Sequence, residues 1–194
     1  LLEEWNLSIT PVNNEKELWQ IKRHMGHSAD CFSKAFRVKN SNRDNAFWNY
    51  YDKHNYHKED IHYWYHGSRN MNCLSILHNG LILNPKAPKV GHMFGYGIYL
   101  APKAKKSIGY TSLNGSFWVH GTSDKAYLFV MKTVYKSPYH VYTWTSGMKS
   151  LTKSRISPHD AVFAHAGTSL RNDEVVIFDD AQVTLQYIIE LKQQ

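Results

Sequence analysis

Three short groups of residues between positions 63 and 110 have types and spacings that indicate a ligand pocket. The groups are His66, Gly67 and Ser68; Gly97 and Tyr99; and Ser107 and Tyr110. Glycine allows a ligand to approach the backbone closely, while the aromatic rings and a hydroxyl group provide walls and a hydrogen bond. Pro102 is a favourable first residue of a helix, and on a helix a spacing of three directs both members of the third group the same way. Such a pocket suits a flat ring that carries an amide and a sugar.

These groups are part of a longer series of motifs that occurs in the same order in a known family. The series is His66-Gly67-Ser68, Asn72, Gly80-Leu81, Met93-Phe94-Gly95, Gly97-Ile98-Tyr99, Lys106-Ser107 and Tyr110, followed by residues 172–179, Ala181-Gln182-Val183 and Leu185-Gln186-Tyr187. It resembles the catalytic domain of the poly(ADP-ribose) polymerase family, a branch of the diphtheria-toxin-like ADP-ribosyltransferases. The resemblance extends over about residues 7–192. Several separate motifs in one order make it far more specific than one motif alone.

The resemblance implies that one end of the pocket binds the adenosine part of NAD. His66 would bond the adenosine ribose, Gly67 the nicotinamide amide, and Ser68 another part of the adenosine end. Asn72 would reach the ligand from the first turn of the following helix. A single histidine in this setting is more often a core residue, but the adjacent glycine and serine favour the binding role for His66.

The nicotinamide end of the pocket is implied by the other motifs. Tyr99 and Tyr110 would form the two walls of a slot, and Ser107 would hydrogen-bond the carboxamide. The alternative, that both tyrosines belong to the core, is less favoured because of the surrounding motifs. Nicotinamide and benzamide-like amides are therefore expected to bind the same slot.

The catalytic carboxylate is predicted at the start of the last motif-bearing strand. Asp173 and Glu174 are adjacent there, and the register of the residues that follow favours Glu174. In the resembled family this glutamate acts together with a histidine and a tyrosine. The matching set here is His66, Tyr99 and Glu174.

The function implied by the resemblance is transfer of ADP-ribose from NAD to an acceptor, with release of nicotinamide. NAD would be a co-substrate, no metal would be required, and the acceptor would be a protein, the chain itself or a nucleic acid. The catalytic set favours some elongation into short chains, whereas the segment of 39 residues between Val134 and Glu174 leaves little surface for holding a growing chain. Two alternatives stay open: a strict mono-ADP-ribosyltransferase, and a non-catalytic module that binds NAD or ADP-ribose.

Composition narrows the remaining classes of protein. The 194 residues fit one domain, residues 1–194, and the first residue, Leu1, suggests a fragment of a longer protein. The net charge of +7 suits an anionic ligand, but the basic residues are scattered rather than clustered, which disfavours a nucleic-acid-binding domain. Two cysteines cannot form a disulfide framework and favour an intracellular location, in the nucleus or the cytoplasm. No apolar run approaches the ~20 residues of a membrane span.

Two groups of residues that contain histidines are candidate metal ligands. One contains His24, His27 and Cys31, and the other contains His54, His57 and His62. Neither has the cysteine spacing of a structural zinc module, so we predict no metal site.

The pattern of apolar residues predicts the elements that position this pocket. Strands are expected at residues 7–12 (an edge strand), 34–39, 61–65, 125–134, 139–145, 174–178 and 183–191. Helices are expected at residues 15–25 and 70–79. A polar turn at residues 40–45 should precede a helical turn at residues 47–51. The second helix should bury Met71, Leu74 and Leu77. Residues 83–91 should form a lid over the donor, and residues 146–159 a loop. Long strands without regular βαβ alternation favour an α+β fold. The resemblance specifies the ADP-ribosyltransferase fold, in which two packed, mainly antiparallel sheets with flanking helices enclose an NAD cleft.

Overall fold

Two long apolar strands form the centre of the protein and account for its core. They are β5 (Lys125–Val134) and β9 (Val183–Lys192), which pair antiparallel over most of their length. Both strands have neighbours on each side, so most of their residues are removed from water. The computed structural model describes residues 1–83, 93–113 and 123–193.

The described residues contain further strands and helices around this pair. The strands are β1 (Leu7–Pro11), β2 (Phe32–Asn40), β3 (Ile61–Gly67), β4 (Ile98–Leu100), β6 (Pro138–Val141), β7 (Ala161–Ala164) and β8 (Glu174–Ile177), and the helices are α1 (Glu15–Met25), α2 (Ser41–Lys53), α3 (Cys73–Asn79), α4 (Ala104–Ile108) and α5 (Lys153–Ile156).

These strands form two sheets. The first has the order β1-β2-β9-β5-β3, with every neighbouring pair antiparallel, and the second has the order β4-β8-β7-β6, in which only β6 and β7 are parallel. Apolar side chains such as Met131, Val175 and Leu185 belong to one core cluster that contains members of both sheets. The predicted α+β fold with two mainly antiparallel sheets and flanking helices is therefore confirmed.

One backbone bridge joins the two sheets beside the pocket. Tyr65 in β3 and Ala101, just after β4, exchange two N–H to carbonyl hydrogen bonds of 2.9 Å. The Tyr65 ring is buried, and its hydroxyl lies 2.5 Å from Nδ1 of His24 in α1. This bridge fixes the end of β3 against β4.

Two helices differ from the sequence-based prediction. Residues 40–45 do not form a polar turn, because Asn40 caps α2 by accepting a hydrogen bond from the backbone N–H of Arg43, and the helix then continues to Lys53. The single buried residue of α2 is Phe47, so its amphipathic pattern was too weak to reveal its length. A side-chain cap, rather than periodicity, determines where this helix begins.

The predicted buried stripe of the second helix is largely wrong. A 3₁₀ turn occupies Asn70–Asn72 before α3 begins, which changes the rotation of the residues that follow. Met71 and Leu74 are 78% and 53% exposed, whereas Ile76 and Leu77 are buried. The predicted strand at residues 139–145 is shorter as well, since β6 ends at Val141.

The predicted lid at residues 83–91 lies, apart from Leu83, outside the described residues. The predicted loop at residues 146–159 contains a 3₁₀ turn at Ser146–Ser150 and the short helix α5. In the described part of the chain, no helix is both long and apolar enough to cross a membrane.

Candidate active site

The floor of the predicted pocket forms where β3 ends against α4. Gly67 is the last residue of β3, and a Cβ atom at this position would lie 1.7 Å from the carbonyl oxygen of Ser107. Only glycine fits such a contact without a backbone shift. Ser107 is 4% exposed. The fold therefore brings the first and third sequence groups into direct contact.

His66 and Tyr99 lie on either side of the junction between the two sheets. The ring of His66 hydrogen-bonds to the backbone of Tyr99. The Tyr99 hydroxyl donates to the carbonyl oxygen of Gly95 at 2.7 Å and accepts from the N–H of Phe94 at 3.0 Å. Burial lowers the pKa of His66 to about 4, and the hydrogen bond to Tyr99 offsets part of that shift. His66 is therefore neutral at pH 7 and able both to donate and to accept a hydrogen bond.

Glu174 is the first residue of β8. It lies opposite Ala164 in β7, and two residues further along β8 Val176 lies opposite Tyr99 in β4. Because side chains alternate along strands, Glu174 and Tyr99 project from the same face of the second sheet. Burial raises the pKa of Tyr99, and the charge of Glu174 adds to that shift.

Lys106 forms an ion pair with Glu174. The two side chains are 16% and 12% exposed, so the pair lies largely out of solvent. In such a setting an unpaired charge would be strongly unfavourable, so each group stabilises its partner. Lys106 thus fixes the position of the carboxylate and adds a positive charge at the cleft.

Tyr110 does not belong to the helix predicted for it. The helix α4 starts at Ala104 rather than at Pro102 and ends at Ile108, and the N–H of Tyr110 donates to the Ser107 carbonyl oxygen at 3.0 Å in the turn that follows. A helix of five residues ends before Tyr110, so the predicted helical alignment with Ser107 is wrong. Burial and then the charge of Glu174 raise the pKa of Tyr110, whose ring is 45% exposed.

Ser68 and Asn72 lie together at the end of β3 that carries His66. The side-chain amide of Asn72 donates to the Ser68 hydroxyl at 2.9 Å. Asn72 ends the 3₁₀ turn before α3, which keeps it near the strand end. The two residues predicted for the adenosine end are therefore hydrogen-bonded to each other.

The histidines considered as metal ligands have other partners. His24 lies against the Tyr65 hydroxyl, His54 stacks on Tyr50 at a ring distance of 4.0 Å, and His62 stacks on Tyr135 at 4.3 Å. Over residues 1–83, 93–113 and 123–193, no three His, Cys, Asp or Glu side chains come together as a metal site.

Sequence reasoning missed how the far side of the cleft is supported. A Cβ atom on Gly95, whose φ is +82°, would lie 2.2 Å from the carbonyl oxygen of Leu151, and the indole N–H of Trp144 donates to the Met93 carbonyl oxygen at 2.7 Å. These contacts join residues about 50 positions apart, and no local pattern indicates them. The ion pair of Lys106 also had no signal beyond its position beside Ser107 in a matched motif.

Two packed, mainly antiparallel sheets with flanking helices are consistent with the ADP-ribosyltransferase fold. Comparison with known families agrees: residues 15–193 match the poly(ADP-ribose) polymerase catalytic domain. The chain belongs to this family.

Individual relatives resemble the chain over different lengths. Poly [ADP-ribose] polymerase 2 of Arabidopsis thaliana is 25% identical over 225 aligned positions, which cover 98% of this chain and 34% of that protein. Poly [ADP-ribose] polymerase of Drosophila melanogaster is 31% identical, over 66% of this chain and 15% of that protein. Poly [ADP-ribose] polymerase 2 of Homo sapiens is 47% identical over a shorter stretch, 27% of this chain and 10% of that protein. The chain thus spans about a third of the length of the plant relative and less of the others.

Proposed function

We propose that this chain transfers ADP-ribose from NAD to an acceptor and releases nicotinamide. The observation that carries the proposal is the position of Glu174, which shares one sheet face with Tyr99, is paired with Lys106 and lies within electrostatic range of Tyr110. A partly enclosed carboxylate beside two aromatic rings and a neutral histidine suits a reaction that develops positive charge on a sugar.

In this reaction the C–N bond between nicotinamide and its ribose breaks, and nicotinamide leaves with the bonding electrons. His66 and Gly67 would hold the donor at the end of β3, with Tyr99 and Tyr110 on either side of the nicotinamide ring and Ser107 on its amide. Glu174 would hydrogen-bond the 2′-hydroxyl of the adjoining ribose and stabilise the positive charge that develops there. The oxygen of the acceptor forms the new bond to the sugar and loses its proton. Fixed orientation of both reactants supplies much of the rate enhancement.

Lys106 would act on both the catalytic carboxylate and the acceptor. Its ion pair would hold the Glu174 carboxylate in one orientation and keep a positive charge beside it. A cation there favours an ionised or polarised acceptor. We therefore include Lys106 among the residues that position the reacting groups.

We further propose that the product contains short chains of ADP-ribose, attached to a protein or to this chain itself. The set His66, Tyr99 and Glu174 supports elongation, as the family resemblance implies, whereas the 39 residues between Val134 and Glu174 leave little surface to hold a long chain. Labelled NAD followed by phosphodiesterase digestion tests this. Phosphoribosyl-AMP in the digest indicates chains, whereas AMP alone indicates single transfers and would make the chain a mono-ADP-ribosyltransferase.

The experiment that tests the activity itself is nicotinamide release from NAD by the isolated chain. Release that depends on Glu174 supports catalysis. Tight binding of NAD without release would instead favour a non-catalytic NAD-binding module. We propose one catalytic domain over residues 1–194 within a longer protein, without a metal requirement. An intracellular location, in the nucleus or the cytoplasm, is supported by the two free cysteines, Cys31 and Cys73.

A further inference from the structure

A second cleft lies at the other end of the strand that carries Glu174. Phe178, which contributes to this cleft, follows β8 directly and stands four residues beyond Glu174, or about 13 Å at ~3.3 Å per residue. The cleft has a volume of about 690 Å³, within the range of small-molecule sites. We refer to it as the distal cleft; its lining includes Tyr50, His54, Tyr56, Lys136, Lys153, Ser157 and Asp160.

One wall of the distal cleft is made of ordered aromatic rings. Tyr50 and His54 stack with ring centres 4.0 Å apart and planes 21° apart, and Tyr50 and Tyr56 lie 6.1 Å apart at the same angle. The hydroxyl of Tyr56 donates to Asp160 at 2.7 Å, and a hydrogen bond joins Nδ1 of His54 to the Tyr50 carbonyl oxygen at 3.0 Å. These contacts order the rings before a ligand arrives. An ordered aromatic wall of this kind suits stacking by a flat heterocycle.

The carboxylates of the distal cleft already have partners inside the protein. Asp160 accepts hydrogen bonds from the Tyr56 hydroxyl and from the backbone N–H groups of Lys136 and Ser137, the latter two at 2.9 Å each. Asp179 beside the cleft is paired with Lys153 at 2.5 Å. Neither carboxylate therefore needs a bound cation.

Unlike these carboxylates, the amino group of Lys136 forms no ion pair within the described residues. It lies 5.3 Å from the centre of the Tyr56 ring. A positively charged group beside an aromatic wall matches a ligand that combines a phosphate with a flat base. Ser157 also lines the cleft, and its hydroxyl adds a hydrogen-bonding group for a sugar or a phosphate.

The polypeptide between the distal cleft and the active site is also basic. Residues 143–159 contain Lys149, Lys153, Arg155 and His159 and no acidic residue. The same stretch contacts Gly95 through Leu151, and Gly95 accepts the hydrogen bond from Tyr99. A phosphate-containing chain that extends from the active site to the distal cleft would therefore follow positive charge.

We propose that the distal cleft binds a phosphorylated nucleoside, and that its occupant during the reaction is an ADP-ribose unit already attached to the acceptor. The identity of the occupant rests on the proposed function, because the active site would produce such units; the chemistry of the cleft stands on its own residues. A base stacks on the aromatic wall, and a phosphate pairs with Lys136. Holding one unit at the distal cleft retains the modified acceptor close to Glu174.

Binding of radiolabelled ADP-ribose to the whole chain tests the proposal, measured as the number of molecules bound at saturation. We expect one ADP-ribose at the active site and a second at the distal cleft. His66→Ala should remove the first and leave the second. Lys136→Ala should weaken the second about tenfold, the loss expected for one charge-assisted hydrogen bond, and Lys136→Arg should retain it. His54→Ala should weaken it as well, because a stacking surface is lost.

Folding of the variants is easily separated from binding. Asp160 accepts from the backbone N–H of Lys136, which every variant at this position keeps. Lys136→Ala loses only the contact with the Tyr56 ring, so the melting temperature should fall by no more than about 4 °C. Lys16→Ala, at an exposed lysine in α1, is the matched control and should bind like the parent chain.

Three results would overturn the proposal: saturation at one ADP-ribose that disappears in His66→Ala, equal binding by Lys136→Ala and the parent, or Lys136-dependent binding of oligoadenylate RNA that is tighter than binding of ADP-ribose. The last result would identify the cleft as a nucleic-acid site. Failure of the proposed function would appear elsewhere, as absence of nicotinamide release, and would leave this binding measurement unaffected.

Discussion

Replacement of Glu174 by glutamine separates a chemical role of this residue from a structural one. Glu174→Gln keeps the size of the side chain and removes its charge. Loss of a group that stabilises charge in the transition state typically lowers the rate by on the order of 10²–10³, or about 2.7–4 kcal/mol of activation free energy. We expect that loss in nicotinamide release, with much smaller change in NAD binding.

The effect on stability follows from the ion pair with Lys106. Both side chains are largely buried, so complete loss of the partner would cost about 3–5 kcal/mol. The amide oxygen of glutamine still accepts a hydrogen bond from Lys106, which reduces the expected loss to about 1–2 kcal/mol. For a domain of this size that corresponds to roughly 2–8 °C in melting temperature, so the variant should remain folded at 25 °C.

Asp173→Asn is the matched control. Asp173 is the adjacent carboxylate, and it accepts a hydrogen bond from the backbone N–H of Ala166 at 2.8 Å, which an asparagine oxygen can also accept. Nicotinamide release by this variant should stay within a few-fold of the parent rate. Full turnover in Glu174→Gln, or a large loss confined to Asp173→Asn, would refute the assignment of the catalytic carboxylate.

Three further predictions concern the donor pocket. Nicotinamide and benzamide should raise the melting temperature because they bind the folded chain and not the unfolded one. Tyr110→Ala should abolish that rise, since it removes one wall of the slot. Absence of the rise in the parent chain would rule out the slot. Gly67→Ala should lower the melting temperature and abolish the benzamide effect, because the new Cβ would lie 1.7 Å from the Ser107 carbonyl oxygen. Gly147→Ala is the control: its Cβ would meet no atom within 4 Å, so the melting temperature and the benzamide effect should both stay unchanged. The pKa of His66 is lowered from 6.5 to about 4, so the unfolded chain binds a proton first as the pH falls, and stability should decrease between pH 6.5 and 4. At pH 5 the free energy of unfolding should be lower by about 2 kcal/mol, as measured by urea unfolding. His66→Gln should remove that part of the pH dependence.

Much of the fold was accessible from local patterns. Helix α1 was predicted with its observed ends because acidic residues open it, basic residues close it, and its apolar residues lie on one stripe. The strands β5 and β9 were predicted within one residue, since long apolar runs leave little alternative in a protein of this size. Where the apolar pattern was weak, as in α2, or interrupted by a 3₁₀ turn, as before α3, the predicted boundaries were wrong.

The sequence by itself determined which family the chain belongs to and which residues to consider for the active site, because ordered motifs retain residue identity and approximate spacing. Only the tertiary structure decided how these residues meet. Glu174 and Lys106 are 68 positions apart, and their ion pair depends on the register of β8 and on where α4 ends. The requirement for glycine at position 67 arises from the backbone of Ser107, 40 positions further along the chain. Contacts of this kind depend on how sheets and helices pack against each other, and local periodicity contains no information about that packing.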